Sequence, residues 1–446
     1  MPAHDTIAAI ATAAGRAAVG IVRVSGARVG AIARAVVGTL PSPRQALYCV
    51  FRGADEIALD QGVAVFFRAP ASFTGEDVLE LQGHGSPVAL QALLERCIAL
   101  GARAAEPGEF TRRAFLNDKI DLAQAEAVAD LIEASSVEAA QCALRSLRGE
   151  FSGNVQILVE GLVNLRAWVE ASLDFPEEEV DDGAASAVFD RLLRIECALD
   201  DLLSKSRQGS LLREGINVVL IGQPNVGKST LLNRLAGQEL AIVTPYPGTT
   251  RDPVRETLLL DGIPLHVVDT AGLRATEDPV ERIGMERTWS SVATATVALL
   301  VVDATQGFTE GDHAIIGQLP EQLTLIKVFN KIDLVGAQAR KTAPASGLEV
   351  HLCAKSGAGI ELLKQALLEF AGWRPGEEGV FMARARHIAA LSDARRHLEA
   401  AHGCVAQREL FAEELRLAQT RLNTITGEFS ADDLLGEIFA RFCIGK

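Results

Sequence analysis

Apolar and polar positions along the chain change rhythm several times. Val19-Gly-Ile-Val-Arg-Val24 and Gly62-Val-Ala-Val-Phe-Phe67 are short β-like runs, and Ser86 to Leu100 has helical spacing. This mixture predicts an α/β or α+β domain over residues 1–116. From 117 to 210 the pattern turns helical: Leu158, Leu162, Leu165, Val169 and Leu173 recur every three or four residues, one face of a helix. From 211 to 374, apolar strands alternate with helical stretches: Asn217-Val-Val-Leu-Ile221, Leu265-His-Val-Val-Asp269, Val297-Ala-Leu-Leu-Val-Val302 and Leu325-Ile-Lys-Val-Phe329. Strands apolar on both faces predict a mostly parallel sheet covered by helices on either side. Trp373-Arg-Pro-Gly-Glu-Glu-Gly379 breaks that pattern, and residues 375–446 are helical again. There Ser430-Ala-Asp-Asp433 reads as a capping box before a last helix with Leu434, Leu435, Ile438, Phe439 and Phe442 on its apolar face. One α/β unit therefore interrupts two helical segments. The economical expectation is an inserted domain whose helical flanks pack together.

Composition supports this division. At about 150 residues per domain, 446 residues suggest about three domains. Hydrophobic residues make up 48%, enough for sizeable cores, and with only 17 Phe, 3 Trp and 2 Tyr those cores must be aliphatic. The net charge of −15 excludes non-specific coating of a polyanion but allows a local basic contact. Six acidic residues crowd between Asp174 and Asp182. The seven cysteines form no CxxC pair, which reads as reduced thiols in a cytoplasmic protein. Met1 to Gly15 lacks a basic region and does not read as a signal peptide, and no apolar run approaches the length of a membrane span.

The clearest chemistry lies in the α/β unit. Gly222-Gln-Pro-Asn-Val-Gly-Lys-Ser229 follows a strand and opens a helix, matching GxxxxGK[ST] in the context that motif requires. Its glycines let backbone N–H groups wrap phosphates at a helix N-terminus, with Asn225, Val226, Gly227 and Thr230 beside them. Lys228 is expected to reach the β- and γ-phosphates and the Ser229 hydroxyl to bind Mg²⁺. Asp269, Thr270, Ala271 and Gly272 end the next strong strand, where an acid can hold Mg²⁺ through water and a glycine N–H can meet the γ-phosphate. Asn330, Lys331 and Asp333 follow another strand. A carboxylate at Asp333 would accept two N–H groups from guanine, and adenine would leave it unpaired, so the expected ligand is GTP. Cys353, Ala354 and Lys355 occupy the place of a loop backing the base. Between these motifs, Thr250 of Thr249-Thr-Arg-Asp252 is placed to complete the Mg²⁺ shell. Leu273 stands where many GTPases carry a Gln that orients water, so another residue must do so if hydrolysis is fast.

These motifs, with Pro247-Gly-Thr-Thr-Arg-Asp252, Val280-Glu-Arg-Ile-Gly284, Phe73-Thr-Gly-Glu-Asp77, Phe115-Leu-Asn-Asp-Lys119, Asp121-Leu-Ala-Gln-Ala-Glu126 and the terminal Cys443-Ile-Gly-Lys446, resemble the MnmE (TrmE) family of tRNA-modification GTPases over essentially the whole chain. The resemblance implies an N-terminal folate-binding and dimerising α/β domain (1–116), a discontinuous helical domain (117–210 and 375–446) and an inserted Ras-like P-loop GTPase domain (211–374). It also implies GTP hydrolysis that drives carboxymethylaminomethyl or aminomethyl modification at C5 of the tRNA wobble uridine, with the FAD-dependent partner MnmG. The implied one-carbon source is a tetrahydrofolate derivative, 5-formyl- or methylene-tetrahydrofolate. It would be bound by Arg23, Glu80, Lys119 and Lys446. K⁺ would be held by Asn225, Thr244, Tyr246 and Thr249 as the GTPase domains pair, with Pro245 in the same GTP-facing segment. Glu281 is the implied water-orienting residue, acting with Lys228 and Thr250. Cys443 is an implied functional thiol. No membrane contact is implied.

The GTPase motifs alone would also suit a GTP-switch factor in ribosome or RNA assembly. A stand-alone one-carbon transferase with a regulatory GTPase domain is a third reading. The folate-type residues and the terminal Cys-Ile-Gly-Lys favour the modification reading. Arg384, Arg386, Arg395 and Arg396 form a loose basic stretch that reads as a solvated helix face.

Overall fold

A computed structural model describes residues 5–174, 182–238, 256–269, 295–320, 323–344, 347–374, 379–405, 407–428, 435–436, 438–439, 442 and 445. The chain separates into two compact units. One comprises Met1–Ala129, Ser146–Leu192 and Asp393–Lys446, and the other Asp130–Arg145 and Leu193–Ser392.

The first unit opens with β1 (Ile7–Ile10), β2 (Ala17–Ser25), β3 (Leu47–Arg52), β4 (Ala58–Phe67), β5 (Val78–Gly85) and β6 (Arg103–Ala104). They form one sheet in the order β3-β4-β5-β2-β1-β6. Every pairing is antiparallel except β1 with β6. The two-residue period of a strand divides β2 cleanly. Val22 and Val24 are fully buried in one cluster with Leu79 and Leu81 of β5. Helices α1 (Val29–Val37) and α2 (Pro87–Ala99) cover that face with Ile32, Val36, Leu90 and Leu93. Arg23 lies between the two valines in β2, and α3 (Glu109–Leu116) follows the sheet.

Helices α4 (Leu122–Glu133), α5 (Val137–Leu147), α6 (Glu150–Asp174) and α7 (Asp182–Glu214) make the helical stretch anticipated from the spacing. In α6, Leu158, Leu162, Leu165 and Val169 are all buried, and Arg166 donates to Gln419 Oε1 at 2.7 Å. The final segment contributes Leu435, Ile438, Phe439 and Phe442 to a cluster with Leu122, Ala125 and Ala129. The capping box assigned to residues 430–433, with Leu434, lies outside the described residues, as does most of the acidic stretch between Asp174 and Asp182.

The second unit is built on β7 (Ile216–Ile221), β8 (Glu256–Leu260), β9 (Ile263–Asp269), β10 (Val297–Asp303), β11 (Thr324–Asn330), β12 (Arg340–Thr342) and β13 (Leu348–His351). Their order is β12-β13-β11-β10-β7-β9-β8, with the inner strands parallel and the two edge strands antiparallel. The apolar runs have the cause expected of them. Val218 and Leu220 enter one cluster, while Val219 and Ile221 enter another on the opposite face. Helices α8 (Lys228–Gln238) and α10 (Ile360–Ala371) cover the first face, and α9 (Glu310–Ile316) meets the second through Ile315 and Ile316. Helix α11 (Ala385–Gly403) straddles the boundary between units, and α12 (Arg408–Thr426) belongs to the first.

In the second unit, Asp130 accepts from Arg213 at 2.9 Å and from Arg384 at 2.8 Å, with its side chain 3% exposed. Arg395 pairs with Glu399, and Arg396 with Asp393. Arg384, Arg395 and Arg396 of the basic stretch are thus each paired with a carboxylate.

Candidate nucleotide and pterin sites

The parallel strands deliver their C-terminal ends to one edge of the sheet, the usual place for a ligand in such folds. β7 leads into Gly222, and α8 begins at Lys228. The loop between them needs the residue types it has. Gly222 has φ +141°, and a Cβ there would collide with the Val301 carbonyl of β10. Gly227 has φ +99°, and a Cβ there would collide with the Asn330 carboxamide nitrogen. Asn225 adopts the left-handed region at φ +63°, which Asn tolerates better than most residues. The Lys228 ammonium donates to Gly222 O at 2.8 Å and to Gln223 O at 3.0 Å, which keeps its charge over the loop. Ser229 and Thr230 stand exposed in the first turn of α8.

Asn330 is buried and uses both ends of its amide. Its Nδ2 donates to Val226 O at 2.9 Å, and its Oδ1 accepts from Ala354 N at 2.9 Å. One side chain therefore joins the phosphate-type loop to the Cys353–Lys355 segment. Asp333 is exposed in the short 3-10 turn Ile332–Val335, beyond Lys331 with φ +66°. Cys353 and Ala354 are buried and Lys355 is exposed. Ala354 makes its contacts through its backbone N–H and carbonyl, while the Cys353 Sγ accepts from Ser356 N at 3.5 Å within the same turn. Arg234 of α8 supports it, donating to Ala354 O at 3.1 Å and to Lys355 O. A cleft of about 280 Å³ runs between Thr230, Asn233, Arg234, Gly237, Ala354 and Lys355. Asp269 ends β9 opposite Leu220 of β7. Thr244, Pro245, Tyr246, Thr249, Thr250, Thr270, Ala271, Gly272 and Glu281 lie outside the described residues.

In the first unit, the structure brings together two of the folate-type residues directly. Arg23 and Glu80 are register partners across β2 and β5. Arg23 donates to Glu80 Oε1 from Nε at 3.0 Å and from Nη2 at 2.8 Å. Gln82 gives the other carboxylate oxygen a long contact at 3.4 Å. The Arg23 guanidinium lies 6.0 Å from the centroid of the Phe73 ring and 5.8 Å from that of Phe110. Its Nη1 also meets Gly445 O at 3.5 Å, which sets the end of the chain beside this pair. Lys119 lies along the same 72–77 loop, where a Cβ on Gly75 would approach the Lys119 chain to 3.3 Å. Lys446 and Cys443 lie outside the described residues.

Several residues here escaped the sequence reading. Asn117 Nδ2 donates to Thr74 O at 2.6 Å, and Ser25 Oγ donates to Glu76 Oε2 at 2.7 Å, fixing the 72–77 loop. Behind it, Arg113 reaches Asp5 at 2.7 Å, Glu109 at 3.0 Å and Glu76 at 3.1 Å, while Arg103 binds Asp5 and Glu109. Burial pushes the Glu109 carboxyl up, but Arg103, the Glu106 N–H and Arg113 outweigh it and hold it below the ordinary range. The same two arginines hold Asp5 low against its partial burial. In the nucleotide site the missed residues are Arg234 and Asp303. Asp303 ends an apolar strand just as Asp269 does, and that repeated pattern was the available signal.

Comparisons with known proteins find relatives over the whole chain. A family model described as the MnmE helical domain matches residues 122–443, and one described as the GTP-binding protein TrmE N-terminus matches residues 6–119. The chain is 58% identical over 445 residues to the tRNA modification GTPase MnmE of Thiobacillus denitrificans, covering 100% of this chain and 99% of that protein. It is 58% identical over 456 residues to the tRNA modification GTPase MnmE of Ralstonia nicotianae, covering 99% and 96%. Among solved structures, Aquifex aeolicus Era bound to GDP·AlF4⁻ aligns with a TM-score of 0.28 and 27% identity over 40% of this chain and 65% of that one.

Proposed function

The chain belongs to the MnmE family of tRNA modification GTPases, and on that premise we propose that it hydrolyses GTP at the 222–229 loop, with K⁺ assistance, to drive C5 modification of the tRNA wobble uridine. The modification would be carboxymethylaminomethyl or aminomethyl, made jointly with the FAD-dependent partner MnmG. The observation that carries the nucleotide part is the Asn330 amide, which links the loop for phosphates to the loop for the base at 2.9 Å on each side.

The residues of the chain divide the work. The loop N–H groups and the start of α8 offer positive potential to the phosphates, and Lys228 adds a full charge. Asp333 is exposed where a guanine edge can reach it, and its carboxylate selects guanine over adenine. Ser229, exposed in the first turn of α8, fits an oxygen-preferring Mg²⁺, with Thr250 as the second hydroxyl. The exposed Asn225 side chain fits a K⁺ ligand, with Thr244, Tyr246 and Thr249 completing the set. A cation there neutralises charge developing on the phosphates, the task an arginine finger performs elsewhere. Glu281 would orient the water, which answers the leucine at 273.

The folate reading rests on Glu80. Arg23 holds its Oε1, and among the described residues its other oxygen has the long Gln82 contact alone, so Oε2 can accept an N–H from the amino and imino edge of a pterin. The Phe73 ring beside Arg23 offers an aromatic face. Lys119 and Lys446 would meet the anionic tail of a tetrahydrofolate derivative. We further read the 1–116 segment as the homodimerising domain and the cytoplasm as the place of action.

Replacing Na⁺ with K⁺ tests the hydrolysis mechanism. GTP turnover should rise steeply in K⁺, and equal rates in the two salts would overturn the K⁺ role. Glu281→Ala should retain nucleotide binding and lose most turnover. An unchanged turnover number would remove Glu281 from its role.

A further inference from the structure

The Lys331 side chain lies between two anchors, one on the phosphate-type loop and one on β10. Its ammonium donates to Asn225 O at 2.7 Å and pairs with Asp303 Oδ2 at 2.7 Å. Asp303 closes β10 exactly opposite Asn330 of β11 in register, so the sheet itself sets the carboxylate beside the base loop. The Asp303 residue is only 9% exposed. Its second oxygen does different work: Oδ1 accepts from Thr305 N at 2.9 Å and from Thr305 Oγ1 at 2.7 Å, shaping the turn after β10. Burial would push this carboxyl up, but Lys331 and Thr305 outweigh it and hold it below its ordinary value. The carboxylate is therefore ionised, and it balances the Lys331 charge close to where phosphates would lie.

The geometry has a mechanical consequence. Asn225 is the exposed, left-handed residue at the tip of the phosphate-type loop. Its carbonyl is fixed by a lysine from the guanine loop, and that lysine is aimed by Asp303. We propose that Asp303 is a positioning residue for nucleotide retention: it orients Lys331, and through Lys331 it locks the phosphate loop to the guanine loop, so that the two halves of the site release GTP or GDP together. This rests on the reading of residues 222–229 and 330–333 as a guanine-nucleotide site.

Asp303→Asn separates the two tasks of the side chain. An Asn Oδ1 can still accept from Thr305, so the turn is kept, while the amide group next to Lys331 loses the charge-assisted bond. The experiment measures release of fluorescent GDP from the full-length protein by stopped flow, for wild type, Asp303→Asn, Lys331→Ala and the double variant. Binding of fluorescent GDP by the wild type is the control for the underlying reading; its absence would refute that reading rather than this one. Asp303→Asn should speed release by about tenfold, the scale of one charge-assisted hydrogen bond. Its guanine-over-xanthine preference should be unchanged, because Asp333 is untouched. The double variant should release no faster than Lys331→Ala alone, since Asp303 acts through Lys331. Release as slow as wild type in Asp303→Asn would overturn the proposal. So would two effects that multiply in the double variant, because Asp303 would then act by another route. If Asp303→Asn fails to fold, Asp303→Glu, which keeps the charge, should restore folding and release within about threefold of wild type, and a Glu variant as fast as Lys331→Ala would equally overturn it.

Discussion

The Asn330 side chain and the Val226 carbonyl are joined at 2.9 Å, with the other end of the same amide bound to Ala354 N. Both bonds are buried. Asn330→Ala leaves a carbonyl and an N–H unpaired, which costs about 1–3 kcal/mol for each group that stays dry. The expected outcome is a fall of at least tenfold in affinity for both GTP and GDP, read by fluorescent-nucleotide titration. Affinities within twofold of wild type would mean that the amide does not organise the site.

Asp333 governs a different quantity. Asp333→Asn exchanges an acceptor for a donor at the guanine edge. It should weaken GTP and favour xanthosine nucleotides, as read by competition between the two. An unchanged base preference would contradict the assignment of this loop to guanine.

A third prediction concerns acid stability of the first unit. Asp5 and Glu109 are held below their ordinary values of 3.8 and 4.5 by Arg103 and Arg113. A carboxyl depressed in the folded state contributes stability that is complete above its unfolded value and is lost as pH falls through the folded value. Stability should therefore drop between about pH 5 and pH 3. Asp5 contributes the smaller part, because its side chain is 38% exposed and screened. Arg103→Ala should lower the unfolding temperature at pH 7 by about 2–4 °C, with a smaller penalty at pH 3. The measurement is thermal unfolding followed across that range. A penalty independent of pH would show that the arginine acts through packing alone.

Much of the fold could be read from the sequence because burial is written in it. Val218 to Ile221 and Val297 to Val302 are apolar on both faces, and the structure buries both faces. The phosphate-type loop was legible for a similar reason: Gly222 and Gly227 have positive φ, and a Cβ would collide with the Val301 carbonyl at the first and with the buried Asn330 amide at the second. An acid closing an apolar strand at Asp303 was visible in the sequence, but its pairing with Lys331 was not, because that depends on the register that sets β10 beside β11, which local spacing does not encode. The support behind Arg23 and Glu80 was hidden for the same reason. It joins Asp5, Glu76, Arg103, Glu109 and Arg113, which are scattered in sequence and meet only in the folded sheet. The N-terminal sheet also shows what composition leaves open. Residues 1–116 allowed an α/β or α+β reading, and the strand pairings of this sheet are antiparallel except that of β1 with β6. The net charge of −15 excluded only non-specific binding to a polyanion, so a tRNA substrate met through a local surface or a partner remains compatible with it.

The measurement that bears most directly on the proposed function is nucleoside mass spectrometry of tRNA from cells lacking this protein. The wobble uridines should lose their carboxymethylaminomethyl and aminomethyl groups at C5, and the wild-type gene, but not the Asp333→Asn variant, should restore them. Fully modified wobble uridines in the deletion strain would contradict the account.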